Sequence, residues 1–149
     1  MALQWKICSF EELTLDELYE ILKLRVDVFI VEQESLYKDI DGKDKDTWHL
    51  TVISQGKLLA YARLFPANID REAQIGRVIV AKEARSLGVG RELMTRAVRW
   101  LDEHEQQPRI RISAQAHLQR FYNHFGFVTT SDAYDEDGIP HVEMIREAP

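Results

Sequence analysis

The sequence predicts an α/β chain of the α+β type, with helices laid on one mixed sheet in the order β-α-β-β-β-α-β-α-β-β. Three observations carry this. Amphipathic stretches with helical spacing at 15–29 and 89–105 alternate with short runs rich in β-branched and aromatic residues. Three of those runs follow one another between 48 and 80 with connections too short for anything but a meander. A glycine-bearing turn, Arg85-Ser86-Leu87-Gly88-Val89-Gly90, then joins the third run to the second helix. At 149 residues, 45% hydrophobic and 30% charged, without repeats or a linker, the chain reads as a single domain spanning 1–149.

Residues 5–9 alternate as a first strand. Thr14 and Glu17 form a capping box, and Leu15, Leu18, Tyr19, Leu22, Val26 and Phe29 repeat at helical spacing, predicting about four turns with that stripe inward. Residues 39–46, dense in Asp and Lys, read as an exposed loop. Strands at 48–54 and 57–65 meet at Gln55-Gly56 as a hairpin, and 74–80 completes the meander. The next helix runs from Val89 to about Glu105, with Val89, Leu93, Ala97, Trp100 and Leu101 inward. A strand at 109–113, a short helix at 116–125 stopped by Gly126, and strands at 127–130 and 141–146 follow.

The net charge of −6 disfavours a nucleic-acid partner and leaves a cationic or neutral substrate. Cys8, the only cysteine, excludes an internal disulfide and points to the cytoplasm; in its alternating segment it reads as a packed strand residue. No leader or run of membrane-spanning length is visible, so no membrane partner is expected. Asp39, Asp41, Asp44 and Asp46 suggest a calcium loop, but aligning Gly42 with the loop glycine puts Tyr37 at the first ligand position and Trp48 where a bidentate Glu belongs. No metal is expected. Arg25 lies on the otherwise apolar helix face and needs a partner, Glu32 or Asp41. Arg63 and Arg77 on neighbouring strands either pair internally or bind an acidic acceptor.

The turn at 85–90 is suited to phosphate. Glycines at 88 and 90 let backbone approach a ligand, the first helical N–H groups carry the positive end of the dipole, and Arg85 adds charge. It is neither the Lys-bearing nucleoside triphosphate loop nor the dinucleotide G-x-G-x-x-G.

R-x-x-G-x-G after Val78-Ile79-Val80 resembles the coenzyme A diphosphate loop of the GNAT-type N-acetyltransferases. The element order is similar over nearly the whole chain, and Phe121-Tyr122-Asn123-His124-Phe125-Gly126-Phe127 resembles the family's F-Y-x-x-x-G-F segment. Within the family, Arg25…Val28-Phe29-Ile30-Val31-Glu32-Gln33, Ala114-Gln115-Ala116-His117-Leu118 and Glu136-Asp137-Gly138-Ile139-Pro140-His141 are similar to the ElaA-like group.

The resemblance implies a GNAT-like acyl-CoA N-acyltransferase fold and an acetyl-CoA-dependent N-acetyltransferase. Arg85, Ser86, Leu87, Gly88, Val89 and Gly90 would cradle the diphosphate, and Val78, Ile79 and Val80 would run beside the pantetheine arm where their strand splays from the next. An amide near Val78 would serve the acetyl oxygen. Gln115 stands where many members carry a cofactor-binding Asn, and Asn123 would reach the cofactor amides. Tyr122, protonated at neutral pH with an ordinary pKa of ~10, would be the general acid. Glu32, His49, His117 and His141 are candidates for the base, with water as the alternative; Glu32, His49, His117, Glu136 and His141 are the candidates for acceptor binding. The acceptor pocket would lie between 32–46 and 132–141, whose carboxylates favour a cationic amine of a small molecule or peptide. A homodimer is compatible with the sequence. A non-catalytic coenzyme A-binding module is the alternative reading, and an acyl-homoserine-lactone-synthase-like enzyme ranks below it.

Overall fold

The computed structural model describes residues 2–106 and 108–148. Strands β1 (Gln4–Ser9), β2 (Trp48–Ser54), β3 (Lys57–Phe65) and β4 (Ala73–Val80) form an antiparallel meander; β5 (Ile110–Gln115), β6 (Val128–Thr129), β7 (Tyr134–Glu136) and β8 (Ile139–Arg146) complete one sheet. Its order is β1-β2-β3-β4-β5-β8-β6, with β7 on β8. Gln55 and Gly56 both have left-handed φ, 51° and 73°, as a two-residue hairpin turn requires. Helix α2 (Val89–Glu105) is the crossover that lets β5 run parallel to β4. It buries Val89, Leu93, Met94, Ala97 and Leu101 on one face of the sheet, while Trp100 stays partly exposed and stacks on His104.

Several expectations change. β5 continues to Gln115, and the helix expected at 116–125 is a 3-10 turn, Ala116–Leu118, followed by the five-residue α3 (Gln119–Asn123). Strand β7 was not expected; its run Tyr-Asp-Glu is exposed, pairs with β8 and reaches Ser113 of β5 through Tyr134 and Glu136.

Helix α1 (Leu15–Arg25), capped by Thr14 and Glu17 as predicted, runs on as a wider π-helical segment, Val26–Glu32. Its inward face is Ile21, Arg25 and Val28, whereas Leu15 is 86% and Tyr19 69% exposed. The apolar stripe gave the wrong roll because the buried centre of the face is a guanidinium. Arg25 donates to Asp39 Oδ2 (3.0 Å), the Asp39 carbonyl (2.8 Å) and Asp44 Oδ1 (2.7 Å). The acidic loop is therefore not an exposed coil: Asp39 and Asp44 are buried, and the expected Arg25 partners, Glu32 and Asp41, are engaged elsewhere. Arg63 binds Asp41 (2.9 Å) and Asp44 (3.0 Å), and Arg77 binds Asp39 (3.0 Å), so both pair internally.

Arg77 also marks an irregularity in β4. Between the pairs Tyr61↔Ile79 and Arg63↔Gly76, the two residues Arg77 and Val78 oppose Ala62 alone, and Arg77 has φ 49°. This is a β-bulge whose left-handed residue is held by its own side chain on Asp39.

Removing one member of a buried ion network leaves its partners unpaired, so Arg25→Ala should cost about 3–5 kcal/mol in urea unfolding, against less than about 0.5 kcal/mol for Leu15→Ala. Burial pushes the Asp41 and Asp44 carboxyls up, but the guanidinium hydrogen bonds outweigh it and hold both below the ordinary carboxylate range. Their contribution to stability should be complete above the unfolded pKa of ~3.9 and lost as pH falls below it, a loss that acid titration by circular dichroism would detect.

Candidate active site

β4 and β5 pair only at Ala73↔Ile110 and Gln74↔Arg111, then separate. A cavity of about 550 Å³ occupies the gap. It is walled by Arg111, Ser113 and Gln115 on the α1 side of β5 and by Leu118 and Tyr122, which pack with the α2 side; the cavity thus passes through the sheet. Gln74, Ile75, Gly76 and the bulge residues Arg77 and Val78 form its β4 wall. A Cβ on Gly76 would meet nothing within 4 Å, so packing does not demand a glycine there, and the bare backbone leaves room in the cavity.

The 85–90 turn starts where β4 ends. Ser86 and Gly88 have left-handed φ of 73° and 78°, and Gly88 caps α2. Glu92 N–H is the first to bond back, to the Gly88 carbonyl at 3.2 Å, so the amides of Val89, Gly90 and Arg91 precede the helical ladder. A Cβ on Gly90 would lie 3.3 Å from Val80 Cγ2, so this glycine also permits the close approach of helix to strand. Arg85 donates from Nε to the Val80 carbonyl (3.1 Å) and pairs with Glu32 (2.8 Å). Exposed Ser86, Leu87 and Gly88, the free amides and the guanidinium fit a diphosphate.

Tyr122 is buried beside Phe121 and Phe127 and faces the gap. Burial pushes its phenol up to about 12, so it keeps its proton at neutral pH. Gln115 donates to Gln33 Oε1 at 3.3 Å, bridging β5 to the segment after α1. Val78 walls the cavity, Ile79 is buried against the α1 cluster, and Val80 meets the glycine turn.

Other expected site residues lie elsewhere. Asn123 is exposed and donates to the Phe127 carbonyl (2.8 Å), tying its amide to the turn after α3. Glu32 sits at the turn on Arg85, away from the cavity walls. His117 is exposed and outside those walls. His49 is buried, with Nδ1 on the Tyr61 hydroxyl (2.6 Å) and Nε2 on the Asp44 carbonyl (2.9 Å); burial pushes its pKa down, and it serves the ion network. Glu136 and His141 do wall the cavity, with Nε2 3.2 Å from Glu136 Oε2. Sequence reasoning missed the bulge, Gln33, Ser113 and Tyr134. Only the bulge had a signal, the glycine inside β4.

The chain matches the family model described as an acetyltransferase (GNAT) domain over residues 16–148, and it belongs to that family. Its sheet and helices have the fold of the acyl-CoA N-acyltransferases. Within the family it is similar to protein ElaA of Escherichia coli, at 41% identity over 97% of each chain; that protein's crystal structure superposes with a TM-score of 0.91 at 39% identity, covering 98% of this chain and 100% of that one. An acyl-CoA N-acyltransferase from Pseudomonas aeruginosa superposes equally well, TM-score 0.91, at 42% identity over 97% of this chain and 99% of that one. A CoA-dependent acyl-homoserine lactone synthase, 16% identical with a TM-score of 0.80 over 99% of this chain and 84% of that one, shares the fold alone.

Gly88→Val would place a β-branched side chain on a left-handed residue in the cradle. It should weaken coenzyme A binding at least tenfold, roughly 1.4 kcal/mol, by calorimetry in a folded protein. Position 88 is the cleaner test, since a side chain at 90 also strikes Val80.

Proposed function

We propose that the protein is an acetyl-CoA-dependent N-acetyltransferase of the cytoplasm that acetylates the primary amine of a small molecule or peptide by direct attack on the thioester. The observation that carries this reading is the cavity that crosses the sheet between β4 and β5, with the diphosphate-compatible turn at the end of β4 and Tyr122 on its wall. Bound acetyl-CoA supplies an activated acyl group.

The turn amides and Arg85 hold the diphosphate, for which Arg85 exchanges or shares its pairing with Glu32. Beyond Gln74 the backbone groups of β4 that would face β5 have no strand partner and are free to bind an amide-bearing arm. Backbone N–H groups of the bulge near Val78 would be available to the acyl oxygen, where negative charge develops. Tyr122, its proton retained by burial, donates toward the departing sulfur.

The acceptor enters on the α1 side, between the acidic loop and the β7–β8 hairpin. The expected ring of carboxylates is reduced there. Asp39, Asp41 and Asp44 serve the three arginines, Glu32 serves Arg85 and Glu143 serves Arg111, which leaves Glu136 and Asp137 of the hairpin at the cavity.

The test is release of free thiol from acetyl-CoA across a panel of amines; tight coenzyme A binding with no turnover on any of them would favour the non-catalytic reading. Tyr122→Phe preserves the ring and removes the donor, so kcat should fall roughly ten- to a hundredfold with acetyl-CoA affinity nearly unchanged. Full kcat with an active acceptor would make Tyr122 a core residue.

A further inference from the structure

We infer that Glu136 and His141 form the site that binds the acceptor's ammonium group and takes its proton, so that the acceptor is a protonated primary alkylamine; this rests on the acyl-transfer reading above. The geometry separates this pair from the other candidates. His49 has both ring nitrogens engaged in the interior, His117 is outside the cavity, and Glu32 is bound to Arg85. His141 and Glu136 stand on the cavity wall, on the part of the hairpin that crosses Ser113 and Gln115 of β5.

Their surroundings fix how a proton is held. His141 Nδ1 is 2.8 Å from the Ile139 carbonyl, which accepts and never donates, so that nitrogen carries a hydrogen. Nε2 is therefore the nitrogen that carries the lone pair in the neutral ring, and it faces Glu136 Oε2 at 3.2 Å. The other Glu136 oxygen accepts from Ser113 Oγ (3.1 Å), which also bonds the Tyr134 hydroxyl (2.5 Å). The Tyr134 ring lies near-parallel to the imidazole, 26° between planes and 6.3 Å between centroids. Glu136 is anchored through one oxygen, and its side chain is still 46% exposed and open to a ligand. The groups around His141 are thus Glu136 and Tyr134 from β7, Gln115 from β5 and Glu143 on its own strand; Glu143 is paired with Arg111. Lys43 and Arg77 stand on the opposite wall.

The Glu136 carboxylate holds the ammonium beside Nε2, whose lone pair in the neutral ring is the acceptor for its proton. One N–H bond of the ammonium then breaks as an N–H bond forms at Nε2, and the pair left on the amine nitrogen attacks the thioester carbonyl. The carbon–sulfur bond breaks with its electrons on sulfur, which takes the Tyr122 proton; the second N–H proton lost by the nitrogen as the amide forms goes to solvent, from which Tyr122 regains its own and to which Nε2 releases the proton it took, so that one proton is released in all. No electron acceptor or further reactant is needed.

The test compares ethanolamine, an ammonium at neutral pH, with hydroxylamine, already uncharged there, as probes for the wild type, Glu136→Gln and His141→Gln. The expected result is a loss of roughly a hundredfold in kcat/KM for His141→Gln with ethanolamine and less than about threefold with hydroxylamine, at unchanged acetyl-CoA affinity. Glu136→Gln, at an exposed position with little bearing on folding, should raise KM for ethanolamine and spare hydroxylamine. Equal losses with both amines, or none, overturn the assignment and make the pair structural. A wild type that binds acetyl-CoA and releases thiol with neither amine overturns the acyl-transfer reading itself.

Discussion

Three arginines on the α1 side of the sheet, Arg25, Arg63 and Arg77, must be neutralised where water is scarce, and Asp39, Asp41 and Asp44 from one loop do it. Much else depends on this arrangement. The loop is drawn under α1, the helix rolls to bury Arg25, and the guanidinium of Arg77 is held while its backbone takes the left-handed conformation of the bulge. Buried ion pairs often contribute little net stability compared with an apolar core of equal volume, because desolvation offsets the attraction. Their value here is positional: Asp39 joins the first helix to the strand whose backbone borders the cavity.

The second constraint is the divergence of β4 and β5. A parallel pair normally continues through its length, but here it ends after two residues, and the rest of the interface is a cavity. The sheet stays intact because β5 finds a full antiparallel partner in β8, paired over six residues, on its other edge. The result separates two environments across one sheet: the glycine turn and Tyr122 toward the α2 side, and the Glu136–His141 wall toward the α1 side. Under the proposed acyl transfer, such a passage would let donor and acceptor each enter from its own face.

The family and, but for β7, the order of elements were legible in the sequence, and so was the glycine turn before α2. Periodicity placed β2, β3 and α2, because these follow from local hydrophobic alternation and a glycine turn that no distant contact alters. Thr14 and Glu17 announced the start of α1, a purely local device. The same reasoning failed for the face of α1: an apolar stripe of Leu15 and Tyr19 carries no mark that it will lie in water. It failed again for 39–46, since an Asp-Lys run in solvent and one sealed over arginines look alike until the arginines, 14 to 38 residues away, are known to converge.

The sequence by itself therefore determined the fold class and the turn at 85–90, both set by spacing within short segments. Only the tertiary structure decided which polar residues meet. Glu32 joined Arg85, His49 joined the buried network, and Glu136 joined His141 and Ser113 at the cavity. The physical reason is that hydrogen bonds and ion pairs select partners by distance and desolvation, and those are properties of strand register and loop closure. Residue types repeat along the chain; their neighbours across a splayed sheet do not.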